Sequence, residues 1–399
     1  MDSMKAGVGR SNNADSQKAG QEACEQAINQ MKGKPDLIMV FSSVILDQEK
    51  MLQGVNSVSQ GAMVVGCSDS GEISTQGSVR NHVVVMAMAS DKIKFTVGLG
   101  KDVKQDSFQA GQMAAKEVIE KAPEKISVLI SILEGLTGNG AAIVRGLKST
   151  LGEHFPIIGG SAGDDFAFKK TFVYYQDQVL NDTVIGLGLS GDFSWGLGVK
   201  HGWEPIGLPM KVTKSEGAVI KELDGKPALS IYQDYFGKRA EELVKEPIAK
   251  MAYTYPLGMT VKGSSELLIV DVVIANEKGE ITCAAEAPEG SEVRLMLGDS
   301  EKAIQAAKEA AENALAQLKG ATPKAIFVFD CMARYKLLGP QINEEIEAVQ
   351  NVLGKNVPLI GFYTYGEQAP LGGNIDSNIC NSVFHNETMC VLVLGEKLG

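Results

Sequence analysis

The chain of 399 residues is 44% hydrophobic and 22% charged, a globular composition with room for two or three domains. Its net charge of -11 argues against a nucleic-acid partner, because phosphate neutralisation needs clustered Lys and Arg, and it disfavours anionic membrane surfaces. No apolar run approaches the ~20 residues that span a bilayer, and the N-terminal "MDSMKAGVGRSNNADSQ" lacks the apolar centre of a secretory signal.

In chain order, the first recognisable pattern is "KAGVGRSNNADSQKAGQEACEQAINQMKGKPDLIMVFSS" (5–43). It reads as a short strand, a polar turn, a helix with Ala19, Ala23, Ala27 and Met31 on one face, and a strand. The pattern returns at 96–131 and at 293–330, where "VRLMLGDSEKAIQAAKEAAENALAQLKGATPKAIFVFD" carries Ala303, Ala307 and Ala311 at the same spacing. Ser16, Ser107 and Ser300 are expected at the helix starts. "DLIMVF", "ISVLI" and "AIFVF" are nearly continuous apolar runs, as in strands covered on both faces.

Each pattern continues into an apolar strand that exits through a glycine and an acid: "MVVGCSDSGEI" (63–73), "PIIGGSAGDDF" (156–166) and "PLIGFYTYGEQ" (358–368). A further strand follows each, at 82–89, 183–190 and 388–395. The fold class expected is therefore α/β, with three homologous α/β units and mixed, largely parallel sheets. Two sequence domains are expected, 1–190 with two units and 191–399 with a linker or hairpin segment and the third. The acids of the three tips are Glu72, Asp164 and Glu367. Ligands of open α/β sheets bind at the carboxyl ends of strands. A solvated acid on a polar turn is the plain alternative for each tip.

The third tip is the richest. Glu367 offers a carboxylate for an ammonium group and Tyr365 an aromatic face beside it, joined by Gly366. "FHNET" precedes the last strand, so His385 and Asn386 are expected near that tip, as ligand contacts or as turn residues. The first tip brings Cys67 and Ser68 beside Glu72, and the second brings Ser161 beside Asp164. Cys67 at a strand exit is a candidate nucleophile, although no Cys/His signature accompanies it. "GLTGNGAAIVRGL" (135–147) is a Gly-rich entry to a helix whose free N–H groups could hold a carboxylate, and Arg294 is a second candidate for that role.

Neither a P-loop nor a dinucleotide fingerprint is present. The six cysteines form no CxxC pair and the four histidines no HxxxH pair. No cofactor and no metal are implied, and free thiols in a reducing cytoplasm are expected.

Seven stretches in order resemble FIST proteins: "VVGCSDSGEI", "EGLTGNGAAIVRGL", "PIIGGSAGDD", "HGWEPIG", "IKELDGKPALSIY", "GFYTYGEQAP" and "FHNETMCVLVL". The resemblance runs from the first unit to about Gly188 for the N-terminal domain and from about Trp195 for the C-terminal one. It implies a sensory module of prokaryotic signal transduction that binds a small molecule, with amino acids suggested. In larger relatives output domains such as kinases follow the module. Here a separate signalling output protein is the corresponding expectation. An enzyme acting on a small metabolite through a tip carboxylate or Cys67 is the rival reading, and a partner-binding scaffold a third.

Overall fold

The computed structural model describes residues 4–396. Unit I has an opening strand Met4–Ser11, a helix Ser16–Met31, a second strand Leu37–Ser42, a helix Gln48–Val58 and a third strand Met63–Ser68. A short hairpin, Glu72–Ser74 with Gly77–Val79, and a closing strand Val83–Ser90 complete it. Unit II repeats this as Ile93–Lys101, Ser107–Lys121, Ile126–Leu133, Gly140–Leu151, Ile157–Ser161, the hairpin Val173–Tyr175 with Gln178–Leu180, and Thr183–Gly191. Unit III follows as Ser194–Lys200, Ser300–Gln317, Thr322–Cys331, Ile342–Leu353, Leu359–Thr364, the hairpin Glu367–Pro370 with Ser382–His385, and Met389–Glu396.

The order within each sheet is the same: opening, closing, second, third. The sheets are mixed, but the parallel share is smaller than the apolar runs suggest. Only the second and third strands run parallel, and every other pairing is antiparallel. The strands are apolar throughout because both faces are covered, one by helices and the other by a core common to all three sheets. Phe41, Phe329 and Phe362 meet in that shared core, with Phe41 and Phe362 ring centroids 4.4 Å apart.

Each opening strand carries a Gly-x-Gly, in "AGVGR", "TVGLG" and "WGLGV". A Cβ at Gly7 would stand 2.3 Å from the carbonyl oxygen of Ala27, one at Gly98 2.2 Å from that of Ala114, and one at Gly196 2.0 Å from that of Ala314. Small residues on both sides thus let the first helix lie directly on the strand. This corrects the start of unit III. "EVRLML" has no such glycines and forms a strand Glu292–Leu297 in a different sheet, paired with Leu257–Met259 and Met210–Glu216. The true opening strand is Ser194–Lys200, and residues 201–298 are an insertion with their own nine-stranded sheet. The three serines stand at the helix starts as expected, each just after an aspartate that caps the helix. Asp15, Asp106 and Asp299 accept first-turn N–H groups, and the serines are the first helical residues.

The hairpins are exchanged in a ring. That of unit I pairs with the third strand of unit III, that of unit III with the third strand of unit II, and that of unit II with the third strand of unit I. Glu72 stands opposite Phe362, Glu367 opposite Gly160, and Val173 opposite Cys67. The equivalence of the tips therefore holds for Glu72 and Glu367, whereas Asp164 heads a longer loop that precedes the hairpin of unit II.

Two outcomes test this packing. Gly7→Ala should destabilise the protein by about 1–3 kcal/mol, read from the urea midpoint, because the helix must lift from the strand. All six cysteines are buried and unpaired, and burial pushes the Cys24 thiol up to about 12. A thiol reagent should label none of them in the native protein and all six after denaturation.

Candidate ligand-binding site

The carboxyl ends of the second strands of units II and III face the insertion. Between them lies a cavity of about 230 Å³. Its walls come from Leu133, Glu134 and the loop to Gly140 in unit II, from Cys331, Met332, Tyr365, Phe384 and Asn386 in unit III, and from Ile248, Asp271, Val273 and Ala284 of the insertion. Ser161 and Phe168 complete the lining.

Two carboxyl groups face this space. Glu134 is 5% exposed. Its Oε1 accepts the Thr171 hydroxyl and the Leu136 N–H, while Oε2 has no protein partner. Asp271 is 4% exposed and its Oδ1 is likewise without a partner. Its backbone N–H donates to the Asn386 side-chain oxygen at 3.2 Å, which ties the insertion to unit III. Burial pushes the Asp271 carboxyl up to about 7, against the pull of Lys336 and of a backbone hydrogen bond from Val272.

The aromatic wall is held by Asp164. Its oxygens accept the N–H groups of Phe168, Lys169 and Lys170 at 2.9, 2.6 and 2.9 Å, and the Tyr365 hydroxyl donates to the same carboxylate. That carboxylate gathers a loop in which Asp165, Phe166 and Phe168 all take left-handed conformations, with φ of 56°, 66° and 51°. The loop lays the Phe168 ring on Tyr365, centroids 4.8 Å apart and nearly parallel.

Of the residues expected from the sequence, Tyr365, Asn386 and Ser161 line the cavity and Asp164 orients one wall. Gly366 lies beside it, where a Cβ would stand 2.3 Å from the Phe384 ring. Glu367, His385, Glu72, Cys67, Ser68 and Arg294 do not line it. Glu367 is fully buried and accepts the Thr364 hydroxyl and, at 3.1 Å, the Thr388 N–H. Glu72 does the same for the His82 N–H at 3.0 Å. Both acids thus tie an exchanged hairpin to the start of its own closing strand. His385 sits opposite Glu367 across the hairpin and its Nδ1 meets the Thr388 hydroxyl at 2.8 Å. Burial pushes its pKa down to about 3, so the ring is neutral.

Ser68 joins two units, donating to the Gly163 carbonyl and accepting the Phe172 N–H. Cys67 is buried inside its strand, and burial together with Asp69 holds its thiol far above the range in which a thiolate forms, so it is not poised as a nucleophile. Arg294 pairs with Glu292 at 3.0 Å on the insertion sheet. Glu134, Asp271 and Phe168 also line the cavity and were not singled out from the sequence. Glu134 stands inside "ILEGLTG", where the glycines draw the eye, and Asp271 interrupts the apolar run "LLIVDVV", the one local sign of a buried acid.

The sequence matches the FIST N domain over residues 36–226 and the FIST C domain over residues 228–370. The chain belongs to the FIST family. FIST domains are sensory domains of signal transduction that bind small ligands. An uncharacterized protein from Methanocaldococcus jannaschii is 26% identical over 376 residues, covering 86% of this chain and 71% of its own. An uncharacterized protein of Mycobacterium tuberculosis is 25% identical, covering 93% of this chain and 96% of its own. Among solved structures, a chorismatase aligns with a TM-score of 0.37 at 7% identity, covering 98% of both chains. A cyanuric acid hydrolase from A. caulinodans aligns at 0.34 and 10%, covering 98% of this chain and 100% of that one. Neither score supports an inference about chemistry. Among the described residues no helix is long and apolar enough to cross a membrane.

Burial pushes the Glu367 carboxyl up to about 8, although the bonds from Thr364 and Thr388 pull the other way. The unfolded carboxyl ionises near ~4.3, so the unfolded state sheds this proton first and stability is lost as pH climbs from there to about 8. Glutamine keeps one donor and one acceptor in the same places. Urea unfolding of Glu367→Gln should match the wild type at about pH 5 and exceed it by more than about 1 kcal/mol at about pH 9. Equal pH profiles would show that Glu367 is ionised in the folded protein.

Proposed function

We propose that this FIST protein is a small-molecule sensor of prokaryotic signal transduction. The cavity between units II and III and the insertion is its ligand site, and the ligand is a small polar metabolite bearing an ammonium group, amino acids among them. The observation that carries this reading is the pair of buried carboxyl groups in the cavity wall, Glu134 and Asp271, each with one oxygen left without a protein partner. Such oxygens are costly to bury unless something satisfies them. A volume of about 230 Å³ suits a ligand at the small end of those that pockets hold. The site also joins three parts of the chain, so occupancy would alter how they pack. A separate output protein would read that difference. The buried free thiols accord with a reducing cytoplasm.

A thermal-shift screen over amino acids and central metabolites tests the reading, since a ligand of the folded state raises the melting temperature. Ala284→Phe, which fills the cavity from the insertion side, should abolish the shift of any hit. A hit whose shift survives in Ala284→Phe would place the ligand elsewhere. The pH dependence has a definite sign. Asp271 is neutral below its pKa of about 7 and pairs with an ammonium group only once ionised. Affinity for an amine should therefore rise as pH increases through 7, and Asp271→Asn should flatten the rise.

A further inference from the structure

The lining of the cavity discriminates among the ligands that carry an ammonium group. We infer that the site is built for an organic amine cation without a carboxylate, a decarboxylated amine or diamine, rather than for a zwitterionic amino acid. The inference rests on the cavity being the sensory site.

Three observations carry it. First, the side chains that line the cavity include two acids and no Lys, Arg or His. The acids are 5% and 4% exposed, and each keeps one buried oxygen without a protein partner. A ligand carboxylate would stand beside two buried acids with no cation in the lining to answer it, which is unfavourable once either acid is ionised.

Second, the cations nearby lie outside the lining. Arg145 at the neighbouring helix pairs with Glu286 at 2.8 Å. Arg294, expected to hold a carboxylate, pairs with Glu292 and lies outside the lining. Lys336 lies against the Phe166 and Tyr253 rings, 5.3 and 6.0 Å from their centroids, on the side of Asp271.

Third, four N–H groups of the Gly-rich loop and of the first turn of the helix Gly140–Leu151 donate to side chains of the protein. Gly135 N–H donates to the Thr171 hydroxyl, Leu136 N–H to Glu134, Asn139 N–H to the Ser107 hydroxyl and Ala142 N–H to the Asn139 side chain. What the cavity offers in place of an anion site is the stacked pair Phe168 and Tyr365, a surface suited to methylene groups and to the flank of a cation.

The test is calorimetric titration of the full chain with three probes of similar length: cadaverine, L-lysine and glutarate. Cadaverine is expected to bind at least about ten-fold more tightly than lysine, and glutarate not at all. Glu134→Gln and Asp271→Asn should each weaken cadaverine about 10- to 100-fold while leaving the melting temperature of the unliganded protein close to or above that of the wild type. Lysine binding as tightly as cadaverine, with the binding lost in Ala284→Phe, would overturn the amine class and leave the cavity as the sensory site. Binding of glutarate, or no binding of cadaverine, overturns the inference directly. The location of the site fails separately, if a screened ligand binds and Ala284→Phe does not affect it.

Discussion

The constraint on which the rest of the structure depends is the exchange of hairpins around the ring of three units. No unit completes its own six-stranded sheet, because the strands next to its third strand come from a neighbour. The exchange is fixed by reciprocal backbone bonds at the tips. Ser70 N–H donates to the Tyr363 carbonyl and Tyr363 N–H to that of Gly71. Tyr365 N–H donates to the Ser161 carbonyl and Ser161 N–H to that of Gly366, while Gly163 N–H reaches the Ser68 carbonyl. A unit excised from the ring would expose an unpaired strand edge and the inner face of its sheet, so the units depend on one another for stability.

The exchange brings acids into the interior and assigns them two kinds of work. Glu72 and Glu367 sit where a hairpin leaves its own unit, and each grips an N–H just ahead of the closing strand. A third buried group, Arg334 with Asp330 at 3.0 Å and Glu345 at 2.8 Å, fastens the second helix of unit III to its second strand. Its guanidinium also donates to the carbonyls of His201 and Ala303, and so anchors the point where the insertion begins. Glu134 and Asp271 differ from these acids. Both line a cavity, where the insertion closes over the strand ends of units II and III.

The repeat was legible because its physical cause is local. Gly-x-Gly and the alanine face are two sides of one close contact, and they recur wherever a first helix lies on an opening strand. The third copy misled because an insertion of 98 residues, 201–298, lies between "WGLGV" and its helix, and "EVRLML" stood in the expected place. The Gly–acid tips were legible as strand exits. Their direction was not, because a hairpin that pairs with another unit looks in sequence like one that pairs with its own. That is why Glu367 reads as an exposed tip and proves to be a buried tie. Asp271 was beyond reach for a related reason: it meets Asn386 only through the docking of the insertion, 115 residues away along the chain.

The central claim is that ligand is held at the junction of units II and III with the insertion. Hydrogen exchange measured with and without saturating cadaverine, or with the strongest hit of the metabolite screen, tests it most directly. Slowed exchange should be confined to segments 133–140, 161–168, 268–273 and 384–386, which bound the cavity or hold its walls. Protection centred instead on residues 66–72 of unit I, with those four segments unchanged, would contradict the account.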